Sequence, residues 1–258
     1  GYNYDLISGN VKEVIYQKDA PDEWRHKYHY DANNRLVRAW TSDDGEQWEM
    51  DAKYFYYLHG PLARMEIGHD KVQGCDYEYN MQGWLKGVNS TTLQPYRDIG
   101  NDADTLGLDL YSGADAYGFY LGYFEGDTSN VSGTQFFANS QELIDNNATY
   151  GNLYNGNISH MVTAMKDESE TMLEVLGNTY RYDQLNRIDQ MFVYSVSNQS
   201  NFISSNSFDG ATLYNGSGYR TTYSYDKNGN LQTLTRKDQN GTKFDDFTYN
   251  YIVGTNQL

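Results

Sequence analysis

Apolar and polar residues alternate along this chain with a period of two, in short runs separated by turn residues, which predicts β-strands joined as hairpins. The run Tyr28-His29-Tyr30-Asp31-Ala32-Asn33-Asn34-Arg35-Leu36 shows the pattern in full. Tyr28 and Tyr30 share one face of a strand, the Asp and Asn residues supply turn chemistry, and Arg35-Leu36 starts a returning strand. Tyr180-Arg181-Tyr182-Asp183-Gln184-Leu185-Asn186-Arg187-Ile188 repeats it closely, and Tyr223-Ser224-Tyr225-Asp226-Lys227-Asn228-Gly229-Asn230-Leu231 repeats it with Asn in place of Arg. Looser copies begin at Tyr2 and Tyr77, and Tyr54-Phe55-Tyr56 and Tyr249-Asn250-Tyr251 keep the aromatic pair. The first tyrosines fall at 2, 28, 54 and 77, in steps of 26, 26 and 23, and then at 180, 223 and 249, in steps of 43 and 26, and a recurring step of about 26 marks a repeat architecture. One such unit is too small to bury its own apolar face, so neighbouring units must stack.

Taken in order, residues 1–91 read as repeat hairpins, with turns at Ser8-Gly9-Asn10, Ser42 to Gly45 and His59-Gly60-Pro61. Pro21-Asp22-Glu23 breaks a charged connector over 18–27. The rhythm stops over 92–151, which reads as an insertion. Within it, 94–106 is a polar loop, 127–135 and 145–152 are turn-rich, and Ser140 to Ile144 is a short helix candidate. Tyr117 to Phe124 is a buried-strand candidate, with Tyr117, Phe119, Leu121 and Tyr123 on one face and Gly118 and Gly122 opposite, open to close approach by a neighbour. Residues 152–258 resume the repeat, with a charged tip at Asp167 to Glu170 and a long Ser/Asn/Gly-rich loop over 195–216.

Composition changes this picture in two ways. The chain holds 26 tyrosines, so its core must lean on rings whose hydroxyls need a partner or water. Its net charge of −16 repels phosphate backbones and anionic lipid, which argues against nucleic acid and membrane surfaces as partners. No apolar run reaches the length of a membrane span, so no membrane insertion is expected. The single Cys75 forbids an internal disulfide and carries no motif of a reactive thiol. Gly1-Tyr2-Asn3-Tyr4 opens inside a repeat rather than in a signal peptide, and the chain stops inside one as well. The expectation is a segment of a longer array, with unpaired strand edges near Tyr2 and Tyr249 and weak, salt-promoted self-association.

The phrase Tyr-x-Tyr-Asp-x-x-x-Arg-Leu, at Tyr28, Tyr30, Asp31, Arg35 and Leu36 and again at Tyr180, Tyr182, Asp183 and Arg187, resembles the YD repeat of the Rhs family. Tyr223, Tyr225 and Asp226 belong to a third copy, and the resemblance covers the chain on both sides of the insertion. It implies an all-β fold of antiparallel hairpins stacked into a spiralling sheet or shell. It also implies a secreted or cell-surface bacterial protein whose shell encloses or delivers a C-terminal toxin. The implied partners are flanking repeats of the same polypeptide, an enclosed toxin domain and secretion machinery. The family's core-associated segment, with its Arg-Tyr-Tyr-Asp-Pro phrase, is absent here, and no Asp-Pro occurs in the chain.

The chemistry on offer is weak. Asp31, Asp183 and Asp226 suit Asx turns better than catalysis or metal binding, because a catalytic carboxylate has no reason to recur in every repeat. Arg35 and Arg187 suit pairing with a neighbouring repeat's carboxylate or stacking on tyrosine. Asp226 to Asn230 loosely matches the start of a calcium loop, but its Gly is misplaced and the closing Glu is absent. Glu125 and Asp127 are the carboxylate pair to examine first for a hydrolase. The five histidines lack metal spacing, and no phosphate-binding glycine loop occurs. No catalytic, cofactor or metal residue is therefore assigned, and the expectation is a non-enzymatic scaffold. The alternative is a carbohydrate-binding surface module in which exposed aromatics, Trp24 above all, stack on sugar rings.

Overall fold

Each full copy of the tyrosine phrase folds as the bend of an antiparallel hairpin, with its Asp at the turn and its second tyrosine on a bulge. A computed structural model describes residues 1–103, 111–127, 136–147, 151–252 and 254–257. The expectations for Leu106, for the turns over 128–135 and 148–150, and for Val253 lie outside the described residues.

The described residues form two compact units, the first made of Gly1–Glu78 with Gln94–Asp115 and the second of Tyr79–Leu93 with Ala116–Leu258. The first holds β1 (Tyr2–Tyr4), β2 (Val11–Tyr16), β3 (Trp24–Tyr30), β4 (Leu36–Ser42), β5 (Glu49–Tyr56), β6 (Leu62–Ile67) and β7 (Gln73–Tyr79). They pair antiparallel in chain order. The second holds β8 (Leu85–Val88), β9 (Tyr117–Gly122), β10 (His160–Met165), β11 (Leu176–Tyr182), β12 (Ile188–Ser195) and β13 (Thr212–Leu213). It continues with β14 (Thr221–Tyr225), β15 (Leu231–Lys237) and β16 (Lys243–Thr248). These also pair antiparallel in order, except that β14 passes β13 and both pair with β12. The fold is all-β, and two short helices, α1 (Gln141–Asn146) and α2 (Gln199–Ser205), decorate the second unit.

The hairpin register explains the sequence spacing. Tyr28 faces Ala39 and Tyr30 faces Leu36, with a slip of one residue between His29 and Tyr30. The same bulge falls at Tyr4, Tyr56, Tyr182 and Tyr225. Such an extra residue bends the strand and re-aims the side chain it carries. The third residue after the Asp takes a left-handed conformation, at Asn34 (φ 61°), Asn186 (φ 61°) and Gly229 (φ 91°). Asn and Gly tolerate that conformation where other residues do not.

The interrupted region is partly structural. Tyr117–Gly122 is a ladder strand, β9, between β8 and β10. Its more buried face carries Gly118, Tyr120 and Gly122 rather than Tyr117, Phe119 and Leu121. The glycines make that face close-packed: a Cβ at Gly118 would meet the Ser90 carbonyl at 2.3 Å, and one at Gly122 would meet the His160 ring at 2.0 Å. The stretch 195–216, read as a loop, contains α2. Its Ser- and Asn-rich composition hides a helix held by tertiary contacts. Asn198 caps it by accepting the Asn201 N–H, and Phe202 packs edge-on against Phe208 at 5.4 Å. Leu143 of α1 and Phe208 close over Gly177 on β11, giving the second unit its dry core with Val162, Val175 and Val193.

Candidate functional site: the hairpin lock and the buried charges

The repeated residues build one joint, made again in successive hairpins. At the bend, Asp31 Oδ1 accepts the N–H groups of Asn33 and Arg35, both at 2.9 Å. Asp183 Oδ1 does the same for Leu185 at 2.8 Å and Arg187 at 3.0 Å, and Asp226 Oδ1 for Asn228 and Asn230, both at 2.8 Å. The other oxygen of Asp31 takes the Arg35 guanidinium at Nε (2.8 Å) and Nη2 (2.7 Å), and Asp183 takes that of Arg187 at 2.6 Å from both nitrogens. In the third copy the Asn230 amide replaces the guanidinium at 2.9 Å. These donors hold all three carboxyls below the usual range: for Asp31 chiefly the Arg35 N–H, for Asp183 the Arg187 side chain, for Asp226 the Asn230 side chain. Each arginine pairs within its own phrase and not with a neighbouring repeat's carboxylate. It then reaches forward, Arg35 lying 4.5 Å from the ring centre of Tyr56 and Arg187 4.6 Å from that of Tyr225.

The second tyrosine of each phrase hooks the hairpin before it. Tyr30 donates its hydroxyl to the Val11 carbonyl at 2.9 Å, and Tyr56 donates to that of Leu36 at 2.7 Å. In the second unit Tyr123 reaches Leu85 (2.9 Å), Tyr182 reaches Ile158 (2.8 Å), Tyr225 reaches Ile188 (2.8 Å) and Tyr251 reaches Leu231 (3.0 Å). Every acceptor is the apolar residue that ends the preceding bend, the place of Leu36 in the phrase. Burial pushes the Tyr182 hydroxyl up to about 12, so it stays a donor. The first tyrosines of the phrase pack instead, with Tyr28, Tyr180 and Tyr223 half-buried in the sheet face. Asparagines tie the bends to one another, Asn10 to Asn34 at 3.0 Å, Asn155 to Asn186 at 2.9 Å and Asn230 to Asn256 at 2.9 Å. Asn80, Asp167 and Asp238 make the same bend without the full phrase. For Asn80 and Asp238 the signal is an Asx residue three places before a glycine, Gly83 and Gly241, whereas after Asp167 it is Glu170 that takes the left-handed conformation. This joint is built on the repeating phrase that resembles the YD repeat.

Elsewhere the buried charges form two groups. In the second unit Lys86 is fully buried, lies 2.6 Å from Asp127 and covers the Tyr120 ring at 4.4 Å. Asp127 also accepts the Tyr123 N–H at 2.8 Å, whereas Glu125 is exposed, so these two carboxylates do not converge. His160, buried nearby, contacts Ser140 Oγ through Nε2 at 2.7 Å and Ser159 Oγ through Nδ1 at 3.2 Å. Burial, then the charge of Lys86, pushes its pKa down to about 3, which leaves a neutral ring and a poor base. In the first unit Arg64 pairs with Asp76 and with Asp102, and lies 3.5 Å from Glu66. Burial pushes Asp76 up to about 7, and burial with the neighbouring Asp98 pushes Asp115 up as well. Cys75 beside them is held as a thiol near 11, by burial and then by the charges of Asp115 and Asp76. The repeat phrase says nothing of this group; its only trace in the sequence is the density of Asp over 98–115. Trp24, 43% exposed, lines an open groove of about 880 Å³ with Trp40, Trp48, Asp43 and Glu49.

No family model matches the chain, and no curated protein matches it. Among solved structures, it is similar to the TcdB2-TccC3 complex crystallised without its hypervariable C-terminal region, at 13% identity and a TM-score of 0.47, over 98% of this chain and 12% of that one. It is similar to a TcdB2-TccC3-Cdc42 structure at 14% identity and a TM-score of 0.47, over 97% and 12%. The Tc holotoxin pore of Photorhabdus luminescens follows at 13% and 0.45, over 92% and 11%. The chain spans about an eighth of the length of these proteins.

Proposed function

We propose that this chain is a non-enzymatic scaffold, a segment of wall in a YD-repeat shell belonging to a large secreted or cell-surface bacterial protein. The observation that carries this reading is the tyrosine hook, which recurs where the ladder steps from one hairpin to the next. The residues that recur are those that join hairpins: an Asp that closes the bend, an Arg that stacks forward, a Tyr that grips backward. The shell would enclose and deliver a C-terminal toxin segment, and its partners would be flanking repeats, that segment and secretion machinery. Limited proteolysis of the natural polypeptide containing this sequence tests the reading. A C-terminal segment that resists cleavage until the repeat region is unfolded is the expected result. A segment cut at the same rate with the repeats folded or unfolded would refute enclosure.

One observation favours a second reading, a carbohydrate-binding module. Trp24, Trp40 and Trp48 lie along the same groove beside acidic and amide side chains, the mixture of flat apolar faces and polar edges that sugars require. An oligosaccharide panel decides between the two. The scaffold reading expects no saturable binding, and binding that falls on Trp24→Ala would replace it with the glycan reading.

A further inference from the structure

The carboxyl cluster of the first unit lacks the positive charge it needs. Glu66, Asp76, Asp98, Asp102 and Asp115 are each no more than 4% exposed. The cations facing them are Arg64, which is shared among Asp76, Asp102 and Glu66, and Lys71, 3.3 Å from Glu66. Carboxylates this dry must be neutralised or paired. Asp98 Oδ2 accepts the Asp102 N–H at 2.8 Å, and Asp115 Oδ1 accepts the Gln73 amide at 2.9 Å. Their second oxygens, Asp98 Oδ1 and Asp115 Oδ2, are buried without any hydrogen-bond donor among the described residues. No lysine or arginine among the described residues pairs with either carboxyl. Acceptor oxygens turned into a dry cluster need either a proton or a metal ion between them.

We propose that this cluster is a binding site for one divalent cation of the calcium class, held by carboxylate oxygens of Asp76, Asp98 and Asp102. Oxygens of Asp76, Asp98 and Asp102 lie within 4.8 Å of one another, the span of ligands around a common ion whose bonds to oxygen are about 2.3–2.6 Å. The donor set is all oxygen and rich in charge, which selects a hard cation. Calcium is favoured over magnesium because magnesium surrenders its water reluctantly, and three buried carboxylates leave little room for water. Two glycines shape the site: a Cβ at Gly74 would fall 2.1 Å from Asp102 Oδ2, and one at Gly100 would fall 2.3 Å from Asp76 Oδ2. Arg64 holds Asp76 and Asp102 in place by pairing with both. The ion would tie β7, through Asp76, to Asp98 and Asp102.

The test uses the whole chain, stripped with EDTA and then given calcium chloride or magnesium chloride, read by native mass spectrometry and by thermal melts near pH 7.5. Expected are one calcium ion retained per chain and a melting temperature raised by several degrees in millimolar calcium, with a smaller response to magnesium. Asp98→Asn and Asp102→Asn should each abolish the retained ion and the shift, whereas Asp19→Asn with Asp22→Asn, on the exposed connector, should leave both intact. Wild-type protein that retains no calcium and melts identically in EDTA and calcium would overturn the site and assign the cluster to shared protons. Retention undiminished in Asp98→Asn and Asp102→Asn would also overturn it, as diffuse binding to an acidic surface. Should neither variant fold, the ion count and calcium response of the wild-type chain decide the matter alone.

Discussion

At the scale of single residues, the two tyrosines of the phrase do different work, which their identical letters conceal. The first packs, and the second, placed on a bulge, turns its hydroxyl to the carbonyl of the previous bend. Removing only that hydroxyl isolates the hook. Tyr182→Phe and Tyr225→Phe should each lower stability by about 1 kcal/mol, the net worth of one hydrogen bond, in urea denaturation. A change near zero in both would mean that the ring alone joins the hairpins. His160 gives a second prediction at this scale. Its imidazole takes a proton near 6.5 when unfolded but stays neutral in the core down to about 3. Between these values the unfolded chain binds more protons, so this contribution is complete above pH 6.5 and is lost as pH falls. Asp76, raised to about 7, acts with the opposite sign. Urea midpoints at several pH values below 6.5 should therefore fall less steeply for His160→Gln than for wild type, and parallel slopes would contradict this.

At the scale of the element, the bend is a small machine of Asp, left-handed residue and bulge. Asn186 sits at φ 61° and receives the amides of Asn155 and Asn157 on its own oxygen. Asn186→Val should cost about 1–2 kcal/mol for the left-handed backbone alone, and Asn186→Gly clearly less. Equal losses from the two would show that the asparagine contacts, not the backbone, set the cost. This scale also shows what the sequence makes legible. The hairpins are visible because a strand's period of two and an Asx-Gly or Asx-Asn bend are local properties, written in adjacent residues. The phrase residues can be placed for the same reason, although the direction of each arginine's pairing cannot. α2 and the buried face of β9 are not legible, since Phe202 meeting Phe208 and Gly122 meeting His160 depend on partners distant in sequence. The cluster around Arg64 is hidden for that reason too: its members come from β6, β7 and residues 98–115, and none belongs to the phrase.

At the scale of the whole molecule, repetition is the defining property. A catalytic protein concentrates unusual chemistry at one place, whereas this chain spends its recurring residues on the step from each hairpin to the next. In the second unit buried Lys86 pairs with Asp127 and buried His160 with two serines. Its net charge of −16 suits a surface that stays dispersed. Whether the repeats make a wall is decided by electron cryo-microscopy of the natural polypeptide that contains this sequence. Residues 1–258 are expected to form part of a continuous hairpin wall around a hollow interior, with Tyr30, Tyr182 and Tyr225 hooked to the preceding bends. Density showing the same residues as a free-standing module, attached by a linker and enclosing nothing, would contradict the shell.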